Sequence, residues 1–428
     1  MRARPIFAGL MLAVLVSPRG QAAHGEVYAL VGGRVFTVSG PVIEKGTVIL
    51  RDGLVDAVGA SVVVPVGARV IDVTGLTVTP GLVDGFGAIG LPAARPAAGG
   101  GPAPSPAANP LAPQALALDR VRLSEAVKAR DSGITTALVI PREGVLPGQS
   151  VLLNLGGDKL EAMVLRQPAA LHLHLTSLPR TYPGSLMGTV AYARQALYDA
   201  ARYREEWKAY EAAARGHKRP NYDAALQAWQ DVLAGKELLI VTASRENDVL
   251  RALALADEFK VRVAVAGAPQ AARVAEIVKT RKLPLLVSVN FDPARAPAFA
   301  AADDDKERQE IADAERNPAE LHKAGVSFAL VSAFAPDFLA GVRKAIERGL
   351  PADVALRALT LAPAEVLGVA DRLGSLEAGK IADVVVWSGE PLAKDTKAKM
   401  VFVDGVLYEP DEKRDTKPSP SPALEDLR

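Results

Sequence analysis

The chain has 428 residues, 49% of them hydrophobic, and a formal net charge of +1. That length and apolar content can fill a large core, and the dispersed, nearly balanced charge gives no footprint for nucleic acid or an anionic membrane surface. With no cysteine in the sequence, disulfides and thiolate chemistry are excluded.

Residues 1–23 begin with Arg2 and Arg4, continue through the apolar run IFAGLMLAVLV, and end in the small residues Ala22 and Ala23. This is the pattern of a signal peptide, and it predicts a periplasmic or secreted protein with no membrane span after cleavage. The apolar run is short for a transmembrane helix; the alternative is an uncleaved N-terminal anchor. Residues 26–78 are β-rich runs broken by Gly32, Gly33, Gly40, Gly46, Gly53 and Gly59, and residues 380–409 contain IADVVVW and KMVFVDGVLY. Both stretches predict short strands with tight turns.

Between them, over 79–379, the runs TTALVI, ELLIVTA, VRVAVAG, LPLLVSV and VSFALVS alternate with helical segments. Each run is continuously apolar, as expected for parallel strands covered on both faces. Strand–helix alternation predicts an α/β fold, and this many units suggest closure into a barrel. Pro92–Pro113 is rich in Pro, Gly and Ala and predicts a loop, either a lid or a tolerated surface insertion. Ala201–Gly235 reads as a helical pair broken near Pro220, its charges forming a solvated face. Residues 410–428 are predicted to be a disordered tail.

One segment carries more than fold. Thr79–Gly90, TPGLVDGFGAIG, resembles the first barrel strand of the amidohydrolase superfamily, which reads PG-[LIF]-[IV]-D-x-H-x-H. LVGGRVFTVSG and GTVILRDGLVDAVG resemble the family's opening, and ALTLAPAEVLGVADRLGSLEAGKIADVVVWSG its close. GITTALVIPREGVLPGQSVLLNL and YPGSLMGTVAYARQALYDA are similar to secreted imidazolonepropionase-like members. The resemblance runs from about Val27 to Tyr408. It implies a (β/α)8 TIM barrel over 79–379 beside a composite β-sandwich made from 26–78 and 380–409.

The resemblance also implies one or two divalent ions, zinc or another, at the C-terminal mouth of the barrel. Its members hold them with paired histidines of strand 1, a bridging group, histidines of strands 5 and 6, and an aspartate of strand 8. In this chain Asp84 is retained, but Phe86 and Ala88 stand at the two strand 1 histidines. Thr242, followed by Ser244 and Arg245, stands at strand 5, Ala266 at strand 6, and Ala333 after Ser332 at strand 8. Phe and Ala offer no lone pair, so no metal cofactor is expected. A metal can lower the pKa of bound water to about 7, on the order of 12 kcal/mol toward hydroxide. A side-chain general base supplies about 3–5 kcal/mol, so acid–base residues alone do not replace the ion.

Among the five histidines, His172 and His174 share one face of a strand by their i, i+2 spacing. They are the only candidate metal pair, but the family resemblance places their segment outside the metal centre, which points to a structural role. Asp84 is expected to hold the strand end by hydrogen bonds, and Asp337 to cap the next helix. The expectation is therefore an exported amidohydrolase-like chain without a working metal centre. It would be a binding subunit with a small-molecule ligand in the barrel mouth, as a homo-oligomer or paired with an intact homologue. The alternative is a hydrolase of non-peptide C–N bonds with an atypical site.

Overall fold

The computed structural model describes residues 26–92, 111–142, 144–178, 182–291, 304–335 and 337–410. The predicted signal peptide, the tail beyond residue 410 and most of the Pro/Gly/Ala-rich loop lie outside the described residues.

Both chain ends build one sheet. Its strands are β1 (Tyr28–Val35), β2 (Ile43–Arg51), β3 (Leu54–Gly59), β4 (Arg69–Asp72) and β5 (Thr77–Pro80), joined by strands from residues 384–408 described below. The remaining strands are β6 (Leu82–Gly87), β7 (Ile134–Val139), β8 (Gly148–Gln149), β9 (Val151–Asn154), β10 (Val164–Arg166), β11 (Ala170–His174), β12 (Leu238–Ala243), β13 (Val263–Gly267), β14 (Leu285–Ser288) and β15 (Ala329–Val331). The chain closes with β16 (Val384–Trp387), β17 (Ala398–Val403) and β18 (Val406–Tyr408). Strands β1–β5 and β16–β18 hydrogen-bond into a single eight-stranded sheet. β5 and β16 join its two chain ends, with Val384 opposite Pro80 and Trp387 opposite Thr77. Tyr28, Leu30, Val48, Val384, Val386 and Phe402 share its apolar core.

The five apolar runs of the central region all form strands, β7 and β12 to β15. With β6 and β11 they make seven parallel strands among the described residues. The ladder does not close. It falls into a four-stranded sheet, β10-β9-β7-β6, and a six-stranded sheet, β15-β14-β13-β12-β11-β8. The physical reason is the insertion after β7. β9 pairs antiparallel with β7, and β8 pairs antiparallel with β11, so these strands occupy the edges that β7 and β11 would offer each other.

Alternation along the strands sets two faces. Leu171, Leu173, Leu239, Val241, Val265, Val287 and Leu330 pack outward with helical residues such as Leu197, Val249 and Val342. Ala170, Ile240, Ala264, Ala266, Leu286, Ala329 and Val331 pack inward with Phe86, Leu138 and Ile140. The short helix Leu361–Val366 sends Ala362 and Ala364 into that inner cluster beside Ala169 and Leu238, plugging the end where the strands begin. The stretch read as a helical pair is a 27-residue helix, Leu186–Ala212, followed by short turns at Ala224–Gln227 and Gln230–Leu233.

The end sheet is fastened to the four-stranded sheet by a buried carboxyl group. Asp383 accepts hydrogen bonds from Asn154 Nδ2 at 3.3 Å, Thr136 Oγ1 at 3.3 Å and the Asp404 N–H at 3.1 Å. Burial pushes the Asp383 carboxyl up from its ordinary value, and the neighbouring Asp404 carboxyl adds to this. Burial likewise raises Asp404, with Arg372 opposing. A carboxyl raised in the fold holds its proton more tightly folded than unfolded. Its contribution is therefore full below the unfolded value, about 4, and is lost as pH rises toward the folded value. Thermal melts of the protein and of Asp383→Asn from pH 5 to pH 8 should show the variant's melting temperature falling less with pH. Identical slopes would contradict this account of the joint.

Candidate functional site

The C-terminal ends of the parallel strands converge around Phe86. Its side chain is 2% exposed and points inward from β6. The ring lies 6.0 Å, centroid to centroid, from His172 and 5.7 Å from Phe334. The guanidinium of Arg142 sits 5.1 Å over the Phe334 ring on the outer side. A cluster of tilted aromatic rings thus fills the position that the strand 1 motif would give to an imidazole ligand. Ala88 is buried just beyond β6, and Ala266 is fully buried on the inner face of β13. Neither supplies a donor atom.

Across the gap between the two sheets, Asp84 is the main link. Its Oδ2 accepts from Ser332 Oγ at 2.6 Å and its Oδ1 from the Ser332 N–H at 3.0 Å. The Phe86 N–H donates to Oδ1 at 3.3 Å, and the Ala333 N–H reaches the Phe86 carbonyl at 3.0 Å. Burial raises the Asp84 carboxyl, and these donors oppose the shift. Asp84 therefore holds the strand end, and the Ser332 hydroxyl is committed to it rather than free as a nucleophile. Directly after it, Ala333 and Phe334 adopt φ values of +44° and +71°. Two consecutive non-glycine residues there cost about 1–3 kcal/mol each. Asn290 Nδ2 clamps the turn by donating to the Ala333 carbonyl at 3.1 Å.

The histidine pair does not lie outside this centre. Leu171 and Leu173 face the helices, so His172 and His174 face inward with Ala170. His174 pairs in register with Thr242, which pairs with Ala266. Both histidines are buried, His172 completely. Burial holds the His172 imidazole well below its ordinary pKa, with His174 adding to the effect. Burial brings His174 down to about 4, against an opposing hydrogen bond to the Gly144 backbone. Both rings are uncharged at neutral pH. Neither nitrogen of His172 has a hydrogen-bond partner, nor has His174 Nε2 or Thr242 Oγ1, and all four atoms are buried. The motif HLHL reads the same for either face of a strand, so only the register of β11 against β12 reveals this cluster.

The other sequence candidates lie at the edge. The N–H groups of Ser244 and Arg245 both donate to Asp248 Oδ2 at 3.1 Å, starting the helix Glu246–Phe259. Arg245 is exposed. Asp337 caps the helix Phe338–Glu347 through the Ala340 N–H at 2.9 Å. Among the described residues no group of three or more His, Cys, Asp or Glu side chains converges as a metal site. The donor set does not fit the divalent centre that the family resemblance implies: Phe86, Ala88, Ala266 and Ala333 have no lone pairs, and Asp84 is turned to Ser332.

Parallel strands alternating with helices, with the candidate site at their C-terminal ends, give an α/β frame of the kind found in barrel folds. Residues 301–408 match the model of the amidohydrolase family. Over 62 residues the chain is 44% identical to amidohydrolase tasK of Hapsidospora irregularis, a match covering 14% of this chain and 6% of that protein. A solved amidohydrolase from Thermotoga maritima MSB8 aligns over 89% of this chain and all of its own, with TM-score 0.78 and 24% identity. A Xaa-Pro dipeptidase with bound methionine covers 90% of this chain and 100% of its own at TM-score 0.57 and 14% identity. Molinate hydrolase covers 94% and 99% at TM-score 0.55 and 18% identity. At such identities the likeness to these structures is one of fold. The family match over residues 301–408 and the shared fold relate the chain to the amidohydrolase superfamily.

Ser332→Ala tests the role of Asp84. Removing the hydroxyl leaves a buried carboxyl oxygen unpaired, and urea unfolding should show a loss of about 1–3 kcal/mol. An unchanged midpoint would mean that the pair does not hold the two sheets together.

Proposed function

We propose that this chain is an exported amidohydrolase-fold protein of the imidazolonepropionase-like branch that binds a ligand at the barrel mouth without hydrolysing it. It acts beside an intact homologue or as a homo-oligomer. The observation that carries this reading is the Phe86 ring, seated between His172 and Phe334 where the resemblance expects a ligating imidazole. A benzene ring excludes both the ion and the water that the ion would acidify, and apolar surroundings add to the cost of an unpaired cation. The general-base alternative falls short of the metal's contribution by several kcal/mol.

A second reading is kept by the inward-facing His172 and His174. Two neutral imidazoles with open nitrogen atoms could serve an atypical hydrolase of non-peptide C–N bonds. Two measurements separate the readings. Protein purified without a tag and dialysed should retain far less than one equivalent of zinc or manganese by elemental mass spectrometry. It should also leave a panel of cyclic amides and N-acyl compounds intact with or without added metal. Stoichiometric metal, or turnover abolished by His172→Ala with His174→Ala, would establish the second reading and refute the first.

A further inference from the structure

Resting on the non-catalytic reading, we infer that the barrel interior is a recognition site for a small, planar, neutral molecule that carries an N–H donor beside an acceptor. Its polar contacts are His174 Nε2, His172 and Thr242 Oγ1, and Phe334 is the side chain that moves to admit it.

Four buried polar atoms on three side chains of one inner face have no partner. Buried groups of this kind are nearly always paired, and each left open costs about as much as a lost hydrogen bond. The three side chains lie on adjacent strands in register, His174 beside Thr242. The chemistry of the set follows from its tautomers. Nε2 of His174 has no partner, and the Gly144 backbone acts on the ring in the direction of a carbonyl acceptor. This assigns the proton to Nδ1 and leaves Nε2 as the acceptor. Thr242 both donates and accepts, as does the neutral His172. His174 Nε2 asks for a donor from the occupant, and Thr242 or His172 can meet an acceptor beside it.

Charge and shape narrow the class further. Among the described residues of the inner face both imidazoles are neutral and the Asp84 carboxyl is held by Ser332, while the Arg142 guanidinium lies against the Phe334 ring. A charged occupant would be desolvated without compensation. Flat walls come from Phe86 and Phe334. Entry is through Phe334, half-buried at the strand ends and carried on the strained pair at positive φ. Stored strain at this turn lowers the cost of a rearrangement that swings the ring aside.

The test uses the whole protein labelled with ¹⁵N-histidine, with pyrazole as the neutral donor–acceptor probe. 1-Methylpyrazole, which lacks the N–H, and ammonium, which is charged, serve as controls. Long-range ¹H–¹⁵N spectra at pH 7 should show pyrazole shifting the His174 Nε2 resonance saturably. 1-Methylpyrazole should bind at least about tenfold more weakly and ammonium should leave the resonance unmoved. Thr242→Val should weaken pyrazole about tenfold. Phe334→Ala, or Phe334→Leu if the first folds poorly, should speed exchange while binding persists. Absence of any shift in both the protein and its Phe334 variants would overturn the site, as would zinc perturbing both histidines at lower concentration than pyrazole. Metal content and hydrolysis are read separately, so failure of the non-catalytic reading is distinguishable: that protein would carry an ion or turn over amides whatever pyrazole does.

Discussion

The interior depends on the bond between Asp84 and Ser332. The two ladders of parallel strands do not join by a continuous run of backbone pairs. At one gap the connection is a carboxyl group gripping both the hydroxyl and the N–H of a residue 248 positions away. The same contact ends β6 beneath Phe86 and begins the turn that carries Phe334. One hydrogen-bonded pair thus sets the spacing of the two rings that fill the mouth. An aspartate kept from the family's strand 1 pattern serves here as a clasp.

Around that clasp the inner surface divides into two chemistries. One side is aromatic and aliphatic, with Phe86, Phe334, Ala266 and Leu286. The other presents His172, His174 and Thr242 with atoms that have nothing to bond. Deep burial keeps the histidines uncharged, so this pattern stays constant across the physiological pH range.

Much of the frame was legible because its signals are local. Continuous runs such as ELLIVTA and VRVAVAG declare strands buried on both faces, and both appear as β12 and β13. Asp337 before Phe338 announces a helix start, and the start is there. That Phe86 and Ala88 stand where the resemblance has histidines rests on the motif around Pro80 and Gly81, and the reading of Ala333 on the run VSFALVSAFAPDF. What could not be read depends on pairing between distant residues. The face of β11 follows from its register with β12, and an alternating HLHL offers no clue to it. The break in the ladder comes from β8 and β9, whose short runs compete for edges that only the assembled sheet defines. The commitment of Ser332 to Asp84 is likewise a contact made across most of the chain.

The eight-stranded sheet has one more consequence, for the order in which the protein is made. β5 meets its neighbour β16 across some three hundred residues, with Thr79 bonded to the Trp387 indole at 2.8 Å. While the ribosome is still extending the chain, the edge of β5 has no partner of its own to occupy it. Such unpaired edges are where nascent chains associate wrongly. Assembly of this part is therefore post-translational in character, and a chain released before residue 384 exposes that edge with nothing to cover it.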